Sequence, residues 1–134
     1  MSEPSDFIKE KIAIITTSFD FLVADFGFVE PAVNYDRNWV EVIYKNYHGQ
    51  RKVVLIHDLR EKYFYFYVTN RVDADHSRMS RNVKTFLEVF QHADRSIKED
   101  DLQPHSDEPS QPKLKVNARL LEQLGKDVLR GDWF

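Results

Sequence analysis

Trp39-Val40-Glu41-Val42-Ile43-Tyr44, Lys52-Val53-Val54-Leu55-Ile56-His57 and Tyr63-Phe64-Tyr65-Phe66-Tyr67-Val68 are three runs of strand length, rich in β-branched and aromatic side chains, between positions 39 and 68. The segments joining them, Asn46-Tyr47-His48-Gly49-Gln50 and Asp58-Leu59-Arg60-Glu61-Lys62, are short. Neighbouring runs therefore pair as antiparallel hairpins, because a parallel pair needs a long crossover. Gly49 can supply the positive φ that such a turn uses.

Side chains alternate across a sheet, so Phe64, Phe66 and Val68 share one face and Tyr63, Tyr65 and Tyr67 the other. The first face is wholly apolar. The second carries hydroxyl tips, which suits a half-covered surface where each ring buries area while its oxygen reaches water. Its cover is either the C-terminal segment or the chain before Trp39, or else a partner.

The flanks supply the helices. Between residues 6 and 26, Ile8, Ile12, Ile15, Phe19, Leu22, Val23 and Phe26 fall on one stripe of an α-helix. Pro4 and Ser5 suit its start, and Gly27 a left-handed end. Ile14-Ile15-Thr16-Thr17 lower its intrinsic propensity, so burial against the sheet has to hold it. The segment 28–35 is a connection or a short edge strand interrupted by Pro31. Ser80 can cap a helix that carries Val83, Phe86, Leu87 and Phe90. Residues 91–113, with Pro104, Pro109 and Pro112 and few apolar side chains, read as a mobile polar loop. Asn117 can cap a last helix bearing Leu120, Leu121, Leu124 and Val128, closed by Gly131, with Trp133-Phe134 adding to the same contact. The predicted fold is α+β, one domain over 1–134. A long N-terminal helix packs on a three- to four-stranded antiparallel meander, followed by one or two C-terminal helices.

With 134 residues the chain can bury one ordinary core, and with no cysteine it has neither disulfides nor thiolate chemistry, in keeping with a reducing cytoplasm. The start lacks a basic signal-peptide region and no apolar run is long enough to span a bilayer, so a cytoplasmic location is expected. A net charge of −3, with both signs interspersed, gives no electrostatic case for nucleic acid or membrane.

Chemistry finds little purchase. Gly27, Gly49, Gly125 and Gly131 are scattered and form no phosphate loop, and neither a zinc-protease nor a nucleophile-elbow pattern occurs. Asp73, Asp75 and His76 are the best metal-like group, but alternating acids after a strand are more often a solvated turn; no cofactor is expected. A small metal-dependent hydrolase built on them is the weakest functional reading. His57-Asp58 beside Arg60-Glu61 resembles an acid/base pair, yet adjacent strand residues face opposite ways, which favours a hairpin turn with charged shoulders. Arg71, Arg78, Arg81 and Lys84 form a basic group, the last three on one side if helical, and read as a solvated face. Asp94, Glu99, Asp100, Asp101, Asp107 and Glu108 form an acidic group that could steer a basic partner.

Two segments resemble a broad group of small bacterial proteins. They are Phe19-Asp20-Phe21-Leu22-Val23-Ala24-Asp25-Phe26-Gly27-Phe28, a helix ending in an aromatic-glycine-phenylalanine step, and Leu124-Gly125-Lys126-Asp127-Val128-Leu129-Arg130-Gly131-Asp132, a closing helix. That group looks like the immunity proteins of bacterial toxin systems, small cytosolic domains that bind and block a cognate toxin. The resemblance implies a non-enzymatic role by occlusion and nominates no active residue. The residues then expected to meet a partner are Tyr63, Tyr65 and Tyr67 with Glu99, Asp100 and Asp101, and the partner a cognate protein such as a basic toxin. The alternative is a self-associating structural or adaptor module, a homodimer through the tyrosine face.

Overall fold

The computed structural model describes residues 5–61, 63–73, 81–102 and 110–131. At its centre lies a sheet whose strands, β1 (Ala32–Tyr35), β2 (Trp39–Asn46), β3 (Arg51–Asp58), β4 (Tyr63–Thr69) and β5 (Val83–Thr85), stand side by side in chain order. Every neighbouring pair is antiparallel. The three predicted runs are the three inner strands. Two short edges raise the count to five among the described residues, against the three or four expected. Pro31 immediately precedes β1, and this strand pairs with β2 alone, as an edge strand can.

Helices α1 (Asp6–Ser18), α2 (Phe21–Phe26), α3 (Phe86–Ala93), α4 (Ser110–Leu124) and α5 (Lys126–Arg130) complete the described chain, with a 3-10 turn at Glu99–Leu102. The helix expected over 6–26 is thus two helices. Ser5 does cap the first, its Oγ accepting the Ile8 N–H at 3.2 Å, and Gly27 ends the second at φ +77°. Between them Phe19 leaves helical geometry, and its side chain, like that of Leu22, is wholly buried. A β-branched run resists the break only weakly, so packing wins over continuity.

Four further expectations are corrected. Val83-Lys84-Thr85 is strand, and α3 begins at Phe86 instead of behind Ser80, which itself lies outside the described residues. Its start is a capping box: Thr85 Oγ1 accepts the Glu88 N–H and Glu88 Oε1 accepts the Thr85 N–H, at 3.3 and 3.0 Å. Residues 110–113, read as loop because of Pro112, are the first turn of α4, where the missing N–H of proline has no helical partner to lose. Asn117 consequently sits inside α4, where its buried Nδ2 donates to the Leu102 carbonyl at 3.4 Å. Gly125 separates α4 from α5, and Gly131, at φ +85°, closes the latter as expected. In the β2–β3 turn the left-handed residue is Gln50, not Gly49. Asn46 sets that turn, accepting the Gly49 N–H at 3.0 Å and donating to the Phe26 carbonyl at 3.0 Å. Trp133 and Phe134 lie outside the described residues.

One face of the sheet holds the core. Val40, Val42 and Tyr44, Val53 and Leu55, and Phe64, Phe66 and Val68 meet Ile8, Ile15, Phe19 and Leu22 from the first helices. Phe86, Val89 and Phe90 of α3, Leu114 and Leu121 of α4 and Val128 and Leu129 of α5 close the same cluster. Rings of Phe19, Phe64, Phe66 and Phe86 lie 5.0 to 6.2 Å apart. The described helices all bury their apolar stripes here.

Candidate partner-binding surface

Registers place the residues of the opposite face in rows. Trp39, Asp58 and Tyr63 form the first, Asn34, Glu41, Ile56 and Tyr65 the second, and Ala32, Ile43, Val54, Tyr67 and Thr85 the third. Lys45, Lys52, Thr69 and Val83 make the fourth. None of these side chains belongs to the core cluster with the helices. Trp39, Ile43, Ile56 and Tyr65 are half-buried. The tyrosines grade along β4, from Tyr63 at 37% exposed through half-buried Tyr65 to Tyr67 at 6%. Tyr63 and Tyr65 rings lie 4.9 Å apart and those of Tyr65 and Tyr67 6.4 Å. This face is therefore an aromatic and aliphatic patch with Glu41 and Asp58 at one end, whereas toward the other end Lys52, Val54, Tyr67 and Thr69 are buried.

A groove of about 620 Å³ opens beside β4. It brings Tyr63, Tyr65, Tyr67 and Glu99 to one place, four of the six residues expected to meet a partner. The Asp101 carboxylate instead serves its own turn, accepting the Lys98 N–H at 2.8 Å. Asp100 occupies the 3-10 turn. Asp94 stands apart: the Ser96 hydroxyl and then the Ser96 N–H donate to its Oδ1 and hold its pKa below the usual value. Asp107 and Glu108 lie outside the described residues.

The remaining polar groups resolve into structural roles. Asp58 Oδ1 accepts the Arg60 and Glu61 N–H groups at 3.0 Å each, forming the predicted turn. His57 points the other way, into the core, its ring stacked 4.0 Å from Phe64. The space beside it, about 10 Å³ between Lys11 and Ile14, holds one water at most. Asp73 pairs with Arg71 at 3.5 Å on the surface, whereas Asp75 and His76 lie outside the described residues. Among the described residues no three His, Asp or Glu side chains gather as a metal site. The basic group does not share a helical side: Lys84 is on β5, 3.9 Å from Glu88, and Arg78 is outside the described residues. No described helix is long and apolar enough to cross a membrane.

Burial has a pH consequence at His57. Desolvation, then the Lys11 charge, push its pKa down to about 4, and Asp58 opposes them only in part. In the unfolded chain an imidazole titrates near 6.5, so between those values the unfolded state binds more protons and stability rises with pH. Acidification from pH 7 to pH 4 should remove about 3 kcal/mol through this group, on the scale of roughly 1.4 kcal/mol per unit of pKa difference. Denaturant melts across that range check it. His57→Phe should flatten the profile between pH 6.5 and 4, and an unchanged slope would place the titration elsewhere.

Two features escaped the sequence reading. Trp39, Ile43 and Ile56 extend the tyrosine patch across three strands, a set that period-two counting along β2 and β3 would have found. Arg51 is the other. Only 5% exposed, it donates from Nε to the Val128 carbonyl at 2.6 Å and from a terminal nitrogen to the Gln50 and Asn70 carbonyls at 3.0 and 3.3 Å. It ties α5 to the end of the sheet, and no local pattern marks it. Comparison with protein-family models, with curated proteins and with solved structures finds no match.

Proposed function

We propose that this chain is a non-enzymatic binding protein that docks a cognate protein partner on the face of its sheet opposite the helices, and that it blocks a basic bacterial toxin by occlusion, like the immunity proteins it resembles. The observation that carries the reading is the one-sidedness of the fold. All the described helices pack on the Phe64 and Phe66 face, while Trp39, Ile43, Ile56, Tyr63 and Tyr65 form a patch that none of them covers. Aromatic side chains in such a patch are what protein interfaces enrich, since they bury much area at little entropic cost. Glu41, Asp58 and Glu61 at its tyrosine end favour a basic partner, by raising the rate of encounter.

The test is protection. Cells producing the toxin should grow when the wild-type chain is coproduced, and Tyr65→Arg, which sets a cation in the middle of the patch, should lose protection while melting within a few degrees of wild type. Continued growth arrest beside the wild-type chain would overturn the reading, as would full protection by Tyr65→Arg. A homodimer that resists dilution in light scattering and buries the tyrosines would assign the same face to self-association instead.

A further inference from the structure

We propose that the outer edge of β4, from Tyr63 to Phe66, takes up an extended cationic segment of the partner as an additional strand. This deepens the reading above, since Tyr63 and Tyr65 border both surfaces. β5 pairs with β4 only at Tyr67, Val68 and Thr69, because at Phe86 the chain turns into α3. Among the described residues no strand lies beside the rest of that edge. The direction of its backbone groups follows from one bond. The Asn70 N–H donates to the Asn82 carbonyl at 3.0 Å, so Asn70 faces the β5 side, and by alternation so do Val68, Phe66 and Phe64. Tyr65 and Tyr63 direct theirs to β3 instead.

The groove runs beside this edge. Tyr63 and Tyr65 border one side, Phe66, Phe86 and Leu102 the other, and Glu61 and Glu99 are the carboxylates that line it. Among the described residues that line it, none is basic. A strand added here would send alternate side chains over Tyr65 and toward Leu102, while its backbone paired with Phe64 and Phe66, the mode by which sheet edges capture extended peptides. The exposed Glu61 carboxylate at the rim selects lysine or arginine in that strand. The chain's own residues 103–109, with Asp107, Glu108 and two prolines, match those carboxylates poorly and lack two of the donors an added strand uses.

Hydrogen exchange and titration by NMR on the full chain test the proposal. In the free protein the Phe64 amide should exchange at least tenfold faster than that of Tyr65. A capped octapeptide alternating lysine and valine should then shift the Phe64 and Phe66 amides to saturation and slow the exchange of Phe64. Replacing its lysines by glutamate, or methylating its amides in the phase that faces β4, should weaken binding at least tenfold, and Glu61→Lys with Glu99→Lys should weaken the lysine peptide similarly. A protected Phe64 amide in the free chain overturns the proposal, assigning the edge to residues 103–109 if the protection survives dilution and to a second copy if it does not. Absence of shifts, or equal binding of the glutamate peptide, overturns it as well. If this fails while Tyr65→Arg still abolishes protection, the sheet face alone carries the interaction.

Discussion

Phe66→Ala should lower the free energy of unfolding by about 3–5 kcal/mol, and Tyr65→Ala, its immediate neighbour, by about 1 kcal/mol. The two rings differ in what they touch, not in size. Phe66 is 8% exposed and stacks on Phe64 and Phe86 at 5.5 and 5.0 Å, with Phe19 at 6.2 Å. Its removal would leave a cavity among rings held on β4, on α3 and at the α1–α2 turn, which cannot collapse together. Tyr65 meets Tyr63 and Tyr67 and stands opposite Ile56 on a face without a helix, so neighbours and water can refill its place. Against a total stability of roughly 5–15 kcal/mol the first loss is severe and the second minor. Urea unfolding followed by circular dichroism separates them. Equal losses would mean that both faces are interior, and the docking surface would disappear.

Arg51→Met should cost about 3 kcal/mol, within the range for breaking a buried network that holds a charge. Methionine fills much of the volume but donates nothing, so the carbonyls of Val128, Gln50 and Asn70 lose their partner. The first of these belongs to the last turn of α5, where a cation is also favoured by the helix dipole. Arg51→Lys should recover less than half of the loss, because one ammonium cannot reach carbonyls that the guanidinium meets through separate nitrogens. Arg60→Met, at an exposed turn position, should change stability by less than about 0.5 kcal/mol. Close approach sharpens the expectation. A Cβ at Gly131 would stand 2.9 Å from the Gly49 carbonyl oxygen, so α5 docks on the hairpin with no slack to absorb a shorter tether. Loss of amide protection in α5 ahead of the rest of the chain would locate the damage there.

The inner strands were legible because side chains of a β-strand alternate between two faces, and from Tyr63 to Val68 the residue types alternate between phenol and wholly apolar side chains. The helix starts were less so. Val83 fits the spacing of the Phe86, Leu87 and Phe90 stripe, and this concealed the Thr85 and Glu88 capping box that starts the helix, with its N-cap two residues after Val83. Pro112 misled in the opposite way, since a proline is as acceptable in a first helical turn as in a loop.

Local alternation determined by itself which side chains of β2, β3 and β4 share a face, and the apolar stripes determined that helices would cover one of them. Which face was covered, and by how many helices, was decided only when segments far apart in the chain met: Phe19, Phe86 and Leu114 all arrive on the Phe66 side. The same holds for Arg51, whose partner carbonyl at Val128 comes from 77 positions away. Periodicity is written in neighbours and can be read from them, whereas burial of a charge depends on an acceptor that only the folded chain brings within reach.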